Sequence, residues 1–228
     1  MMSKISASPF ILWRWLGLLI GLSGLSLYAA AGVYDDFFAG IRRDNPAMVQ
    51  SALVRGFDVN TLGPDGEIGL SLAFFESAER VIPLLMQWPA TDVNALNRKG
   101  ESALMLAAWR GLTATAQTLV EKGADINKTG WTPLHYAASS GQVAMLGWLL
   151  ENHAYIDAQS PNGTTPLMMA AMYGTQDAVE LLLKQGADAS LTNQQGLSAL
   201  DFAERGERPD AIKTLSGPAA MAAGSPAR

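Results

Sequence analysis

Apolar residues recur along most of the chain at a helical spacing that stops and restarts at glycine. From residue 132, Leu134, Ala137 and Ala138 share one face of a helix, and Val143, Leu146, Leu149 and Leu150 share one face of a second. Thirty-odd residues on, Val179, Leu181, Leu182 and Leu183 repeat the second pattern. Thr132-Pro133 and Thr165-Pro166 are helix starts, since threonine can cap and proline at the first helical position loses no hydrogen bond. Gly141 and Gly174 are expected to end the first helix in a left-handed conformation, and Gly123 and Gly186 the second. The pattern predicts pairs of short helices joined by tight turns.

Aligned on glycine, the chain shows five copies: GEIGLSLAFFES from Gly66, GESALMLAAWRG from Gly100, GWTPLHYAASSG from Gly130, GTTPLMMAAMYG from Gly163 and GLSALDFAERGE from Gly196. A second block recurs between them as RGFDVN (55–60), KGADIN (122–127) and QGADAS (185–190), with weaker copies PATDVN (89–94) and NHAYID (152–157). One such unit cannot bury its own apolar face, whereas stacked units can. In its T-P-L-H-x-A-A and G-A-D-x-N elements the chain resembles the ankyrin repeat, over about residues 34 to 215. The resemblance implies an all-α solenoid of about five to six helix-turn-helix units with short hairpin-like fingers. Its units would be a degenerate capping repeat at 32–65, repeats at 66–99, 100–129, 130–162 and 163–195, and a capping repeat at 196–215. Glu204, Arg205, Glu207 and Arg208 give the last unit a polar free side. The tail at 216–228, small and rich in Pro and Gly, reads as disordered.

Three departures from the pattern stand out. The segment NKTG (127–130) is three residues short of the next copy, so the finger before Gly130 is truncated. PATDVN carries one extra residue, and Pro83 and Pro89 predict a short or bent outer helix in that unit. His153 replaces the helix-ending glycine and must adopt that backbone at a cost. Structural distortion accounts for all three, with a tuned binding groove as the alternative.

Composition adds constraints. Hydrophobic residues make up 49% and charged residues 16% of the 228, with a net charge of −5. An acidic chain does not track a phosphate backbone, so nucleic acid is not expected as a partner. The absence of cysteine excludes disulfides, thiolate metal sites and cysteine nucleophiles. Residues 1–31 have Lys4 and Arg14 as their only charges, an apolar run from Trp15 to Leu27 and small residues Ala29, Ala30 and Ala31. They are expected to form a signal peptide cut after Ala31. An uncleaved anchor running to Val33 is the rival, disfavoured by its length and the A-x-A end. Either way the body would be exported, to a bacterial periplasm by preference, in soluble form, facing it from the inner membrane, or secreted onward.

Two histidines are the first candidates for chemistry. His135 stands in T-P-L-H, where the resemblance implies a structural ring bonded to the threonine hydroxyl and nearby backbone. No nucleophile elbow, metal-spaced histidine pair or phosphate loop accompanies it or His153, so no catalytic residue, metal or cofactor is expected, and no small-molecule substrate. Asp58, Asp92, Asp125 and Asp188 recur at one repeat position. Calcium loops cluster their oxygens within one segment, so these aspartates are expected to bond turn backbone instead.

What remains is a binding role. The resemblance places the working surface on the concave side, at finger tips and inner helices, with an unidentified protein as the partner. Trp109, Arg110, Trp131, Met172 and Tyr173 occupy its variable positions on adjacent units, with Gln159 on a finger tip and Thr164 just after a repeat glycine. Aromatic residues, methionine and arginine are enriched at interfaces. Trp109 and Trp131 have a second reading, in which Trp131 covers the gap left by the short finger and Trp109 packs on it.

Overall fold

The computed structural model describes residues 32–217. The leader and the tail from 218 onward lie outside the described residues. The described chain forms twelve helices in six pairs: α1 (32–42) and α2 (Pro46–Val54), α3 (Gly69–Phe75) and α4 (Val81–Gln87), α5 (Ala103–Trp109) and α6 (Thr113–Glu121), α7 (Pro133–Ser139) and α8 (Val143–Glu151), α9 (Pro166–Tyr173) and α10 (Gln176–Lys184), α11 (Ala199–Arg205) and α12 (Pro209–Leu215). Among these residues no strand forms, and the only extended pairings are single bridges, Leu62 with Ile68 and Thr192 with Ser198.

The inner helices start in the same way in successive units. Ser102, Thr165 and Ser198 each cap with a side-chain oxygen that accepts the amide three residues on. The residue three on returns the bond, and the acceptor atom differs each time. The Ser102 amide donates to Sδ of Met105 at 3.4 Å, Thr165 to Sδ of Met168 at 3.4 Å and Ser198 to Oδ2 of Asp201 at 2.7 Å. The geometry of the capping box is kept while its chemistry drifts.

Inner helices α3, α5, α7, α9 and α11 pack in sequence, and α6, α8, α10 and α12 form the outer row behind them. Ala73, Ala107, Ala108, Ala137, Ala138, Ala170, Ala171 and Ala203 are all buried between them. Alanine allows this close approach, while Leu104, Leu119, Leu134, Leu149, Leu167 and Leu182 fill the space between the rows. The first unit is closed by aromatic residues, with the Phe37 and Phe57 rings 4.6 Å apart and Phe37 and Phe38 edge-on at 5.2 Å. In the last unit Arg208 does not simply face solvent, because its guanidinium turns back to donate to the carbonyls of Met172 and Gly174 at the end of α9.

Helix ends follow the expected scheme with one exception. Gly141 has φ +68°, but Gly174 has φ −80° and ψ −159°, an extended conformation. Gly174 is needed for space instead: a Cβ there would lie 2.3 Å from the Ala138 carbonyl oxygen. His153 does take the left-handed conformation of the glycine it replaces, with φ +67°. The prolines shorten α4 to seven residues, against nine in α6, α8 and α10. The mismatch leaves a cavity of about 260 Å³ between α4 and α6, lined by Ile82, Pro83, Met86, Ala114 and Thr118 among others.

The fingers close through a backbone bond across each tip: Gly63 to Glu67, Asn97 to Glu101, Ser160 to Thr164 and Asn193 to Leu197, at 2.7–3.0 Å. Neighbouring fingers join through Arg98 N–H to the Gly66 carbonyl and Gln194 N–H to that of Asn162. Among the described residues, segment 127–130 makes neither kind of bond, as its three missing residues require.

Below the fingers runs a ladder that ties unit to unit. Asp58, Asp92, Asp125 and Asp188 each accept the amide two residues on, at 2.8–3.0 Å, as expected for turn aspartates. The asparagines beside them reach across to the next unit. Asn60 accepts from the Asp92 amide and donates to the Ala90 carbonyl; Asn94 does so with Asp125 and Gly123, and Asn127 with Tyr155 and His153. At the next rung the residue is Asp157, which accepts from the Asp188 amide at 3.0 Å. When ionised it has no hydrogen for the Gly186 carbonyl at the matching place. Burial raises its carboxyl above the usual range, the Asp188 amide opposes that rise, and the Asp188 charge adds to it. Asp157→Asn should therefore complete the ladder and stabilise the protein by about 1 kcal/mol, a rise of about 2–4 °C in melting temperature for a domain of this size. A calorimetric scan at pH 7 showing no rise, or a fall, would contradict this account of the rung.

Candidate functional site

The inner-helix face near units three to five is built around His135. Its ring is fully buried. Nδ1 accepts from the Thr132 amide at 3.2 Å and faces the Thr132 hydroxyl at 2.9 Å. The ring proton therefore lies on Nε2, which donates to the Thr164 carbonyl of the next unit at 2.9 Å. Burial lowers its pKa to about 4, with the Thr164 bond the largest opposing influence. A neutral imidazole with both nitrogens engaged has no capacity left for acid–base work or for a metal. His135 is the N-terminal cap acceptor of α7 and a link to the following unit, as its place in T-P-L-H implied.

That link decides the fate of Thr164, which is only 2% exposed. Its carbonyl is taken by His135 and its amide donates to Oγ of Ser160 at 3.0 Å. The expectation that Thr164 lines the binding surface is therefore corrected: the finger tip folds over it. Arg110 is corrected too. Its side chain is 19% exposed, its guanidinium donates to the Phe74 carbonyl at 3.1 Å, and Glu79 lies 3.9 Å away. It caps the C-terminus of α3 as Arg208 caps that of α9, a cation placed at the negative end of a helix.

Trp109 and Trp131 do come together. With His135, Tyr136, Ser139 and Met169 they line an open cavity of about 250 Å³ spanning α5, α7 and α9. Trp131 meets the His135 ring edge-on, centroids 5.2 Å apart. Trp109, which ends α5, is 51% exposed and forms the opposite wall. Trp131 is thus partly the cover for the short finger, while Trp109 is held out in solvent. Ser139 leaves the cavity its room, because Phe75, Trp109 and Met172 stand at the matching place in neighbouring units.

Tyr173 is 57% exposed and Met172 half-buried, but both lie beyond the cavity. Gln159 faces a separate groove between fingers, of about 610 Å³, with Thr129, Ser160, Pro161 and Gln194. Tyr136 and Met169 were missed by sequence reasoning. Met169 lies three residues, one helical turn, before Met172, a variable position that was read, and Tyr136 is its counterpart in the preceding unit, so extending the helical spacing back one turn would have found both.

The Tyr136 hydroxyl donates to Oε1 of Glu101 at 2.9 Å. Burial first, then that bond and the Glu101 charge, hold it well above the ordinary phenol range, so it remains a donor. Nδ2 of buried Asn97 donates to Oε2 of Glu101 at 2.7 Å and to Oε2 of Glu67 at 3.0 Å, bringing two carboxylates onto one amide.

A family model described as ankyrin repeats in three copies matches residues 38–129, 70–160 and 146–221. The chain belongs to the ankyrin-repeat family. It is 35% identical over 175 residues to neurogenic locus notch homolog protein 1 of Mus musculus, covering 69% of this chain and 7% of that protein. The human counterpart is 34% identical over the same length. To the nuclear factor NF-kappa-B p105 subunit of Gallus gallus this ankyrin chain is 31% identical over 157 residues, 66% of its length and 16% of that subunit. It thus matches only a small part of these much longer relatives. Ankyrin repeats are protein-interaction modules and generally non-catalytic.

The buried ring has a consequence for stability. An unfolded histidine titrates near 6.5, the folded ring near 4, so between these values the unfolded state binds the extra proton. The contribution is complete above pH 6.5 and lost as pH falls toward 4, by roughly 3 kcal/mol in all. Met105 and Met168 fill the same place in other units, so His135→Met keeps an acceptor for the Thr132 amide while removing the titration. Chemical denaturation from pH 7 to 4 should show the parent losing about that much more stability than His135→Met. Equal losses would contradict the assignment.

Proposed function

We propose that this ankyrin array is a non-catalytic binding protein that recognises a protein partner through its concave inner-helix face, after export from the cytoplasm. The observation that carries the reading is Trp109, half exposed across an open cavity from Trp131 on the inner-helix face. Large aromatic side chains held partly out of the core are what interfaces use as anchors. The cavity is preformed by packed helices, so little conformational freedom is lost on binding. Tyr173 and Met172 extend the surface toward unit five, and Gln159 belongs to the polar finger rim.

Capture from a periplasmic extract, followed by affinity measurement with the partner obtained, tests this. Trp109→Ala with Trp131→Ala should weaken binding at least about thirtyfold, the loss expected of one anchor worth about 2 kcal/mol. Helicity by circular dichroism should stay as in the parent, since neither side chain lies in the alanine-lined packing. Undiminished binding by the double variant would refute the anchor.

Export rests on the first 31 residues, with their basic start, apolar run and A-x-A end. N-terminal sequencing of the protein from its native source should yield a chain beginning at Gly32 and recovered with soluble periplasmic proteins. An intact Met1 in the membrane fraction would make it a tethered adaptor instead, and recovery from the medium would make it a secreted effector acting on host proteins.

A further inference from the structure

The anchor cavity has three aromatic walls, Trp109, Trp131 and Tyr136, and the Met169 side chain as a fourth. Among the described residues no lysine or arginine lines it, and the His135 ring at its base is neutral. A carboxylate stands one hydrogen bond behind the wall, since the Tyr136 hydroxyl ends on Oε1 of Glu101. Glu67 joins it through Asn97. The basic residues nearest in the chain are engaged elsewhere. Arg110 holds the Phe74 carbonyl, the Lys99 ammonium lies 5.1 Å from the centre of the Phe75 ring, and Lys128 donates to the Thr129 carbonyl at 3.1 Å. An aromatic hollow thus sits beside a pair of carboxylates with no lysine or arginine among the described residues lining it.

Aromatic faces carry negative potential and attract cations, more strongly when water is excluded. A nearby carboxylate adds to the attraction and repels acidic groups. The hollow, at about 250 Å³, is smaller than the roughly 300–1,000 Å³ of pockets that take drug-sized ligands, and suits a single side chain. Arginine would want two free carboxylate oxygens in its plane. Both oxygens of Glu101 already accept a bond, from Tyr136 and from Asn97. A compact ammonium on an apolar stem needs no such pair: its stem lies against the rings and its charge is felt through space.

We infer that the cavity between Trp109, Trp131 and Tyr136 receives a lysine side chain of the protein partner, its ammonium held among the aromatic faces beside Glu101. The inference rests on the reading of the inner face as a protein-binding surface and names what its anchor cavity selects.

The test uses the full-length protein and capped pentapeptides of glycine with a central lysine, norleucine or arginine. Binding is read from the indole N–H signals of Trp109 and Trp131 by NMR, assigned with Trp109→Phe and Trp131→Phe. The lysine peptide should shift both signals saturably. The norleucine peptide, which keeps the stem and lacks the charge, should bind about three- to thirtyfold more weakly, the range expected for a cation among aromatic rings. Glu101→Gln, which keeps an acceptor for Tyr136, should bring lysine down toward the norleucine value and leave norleucine unchanged. The lysine–norleucine comparison on the parent stands by itself if that variant fails to fold. Equal affinity for lysine and norleucine, no shift with lysine, or tighter binding of arginine would each overturn the inference. So would choline binding more tightly than the lysine peptide, which would assign the hollow to a small-molecule cation. These outcomes leave the anchor role of the tryptophans standing. Undiminished partner capture by the double tryptophan variant would remove that role itself.

Discussion

From the second unit onward, this protein depends on burying alanine-lined inner-helix faces against one another. Ala107 and Ala108, Ala137 and Ala138, and Ala170 and Ala171 lie where inner helices touch, and no larger residue would let the backbones approach so closely. A pair of helices seven to nine residues long is too short to be stable alone. Packing against neighbours supplies what each pair lacks, and the stack behaves as a chain of nearest-neighbour contacts. Weak joints are therefore local. The cavity between α4 and α6 and the ladder rung at Asp157 each affect one interface without disturbing the register of the rest.

Polar groups at the unit boundaries obey the same constraint. The asparagine ladder, the His135 bond to the Thr164 carbonyl and the guanidinium caps of Arg110 and Arg208 all satisfy backbone groups at the helix ends and in the turns and fingers between them. Each reaches from one unit to an adjacent one, so satisfying the backbone and joining the units are the same act. This is why residues with chemical potential in isolation, a histidine and two arginines, prove to be scaffold.

The proposed binding surface arises where that scaffold leaves slack. A finger three residues short exposes the ground before Gly130, Trp131 fills part of it, and Ser139 withholds bulk where neighbouring units place Phe, Trp or Met. The hollow that results is walled by three successive inner helices and backed by Glu101. The stack does not need the exposed Trp109 or the space left at Ser139, which is the physical ground for proposing this hollow as a recognition site.

The helix pairs and the structural role of His135 were legible in the residues, because each rests on short-range rules: spacing of apolar positions, threonine before proline, glycine at helix ends. The short finger and the shortened α4 were legible too, as counts of residues and prolines. Thr164, Arg110 and Gly174 were not. Thr164 follows a repeat glycine as the partly exposed Glu67, Glu101, Trp131 and Leu197 do, yet the His135 ring of the preceding unit takes its carbonyl and the finger closes over it. Arg110 reads as a contact residue until the end of α3 is seen within its reach, and Gly174 reads as a left-handed cap until the Ala138 carbonyl is found against it. Periodicity along one chain determined which residues turn inward; only the stacking of units decided which side chains meet across a boundary, because those distances depend on how neighbouring helices pack and no local rule encodes them.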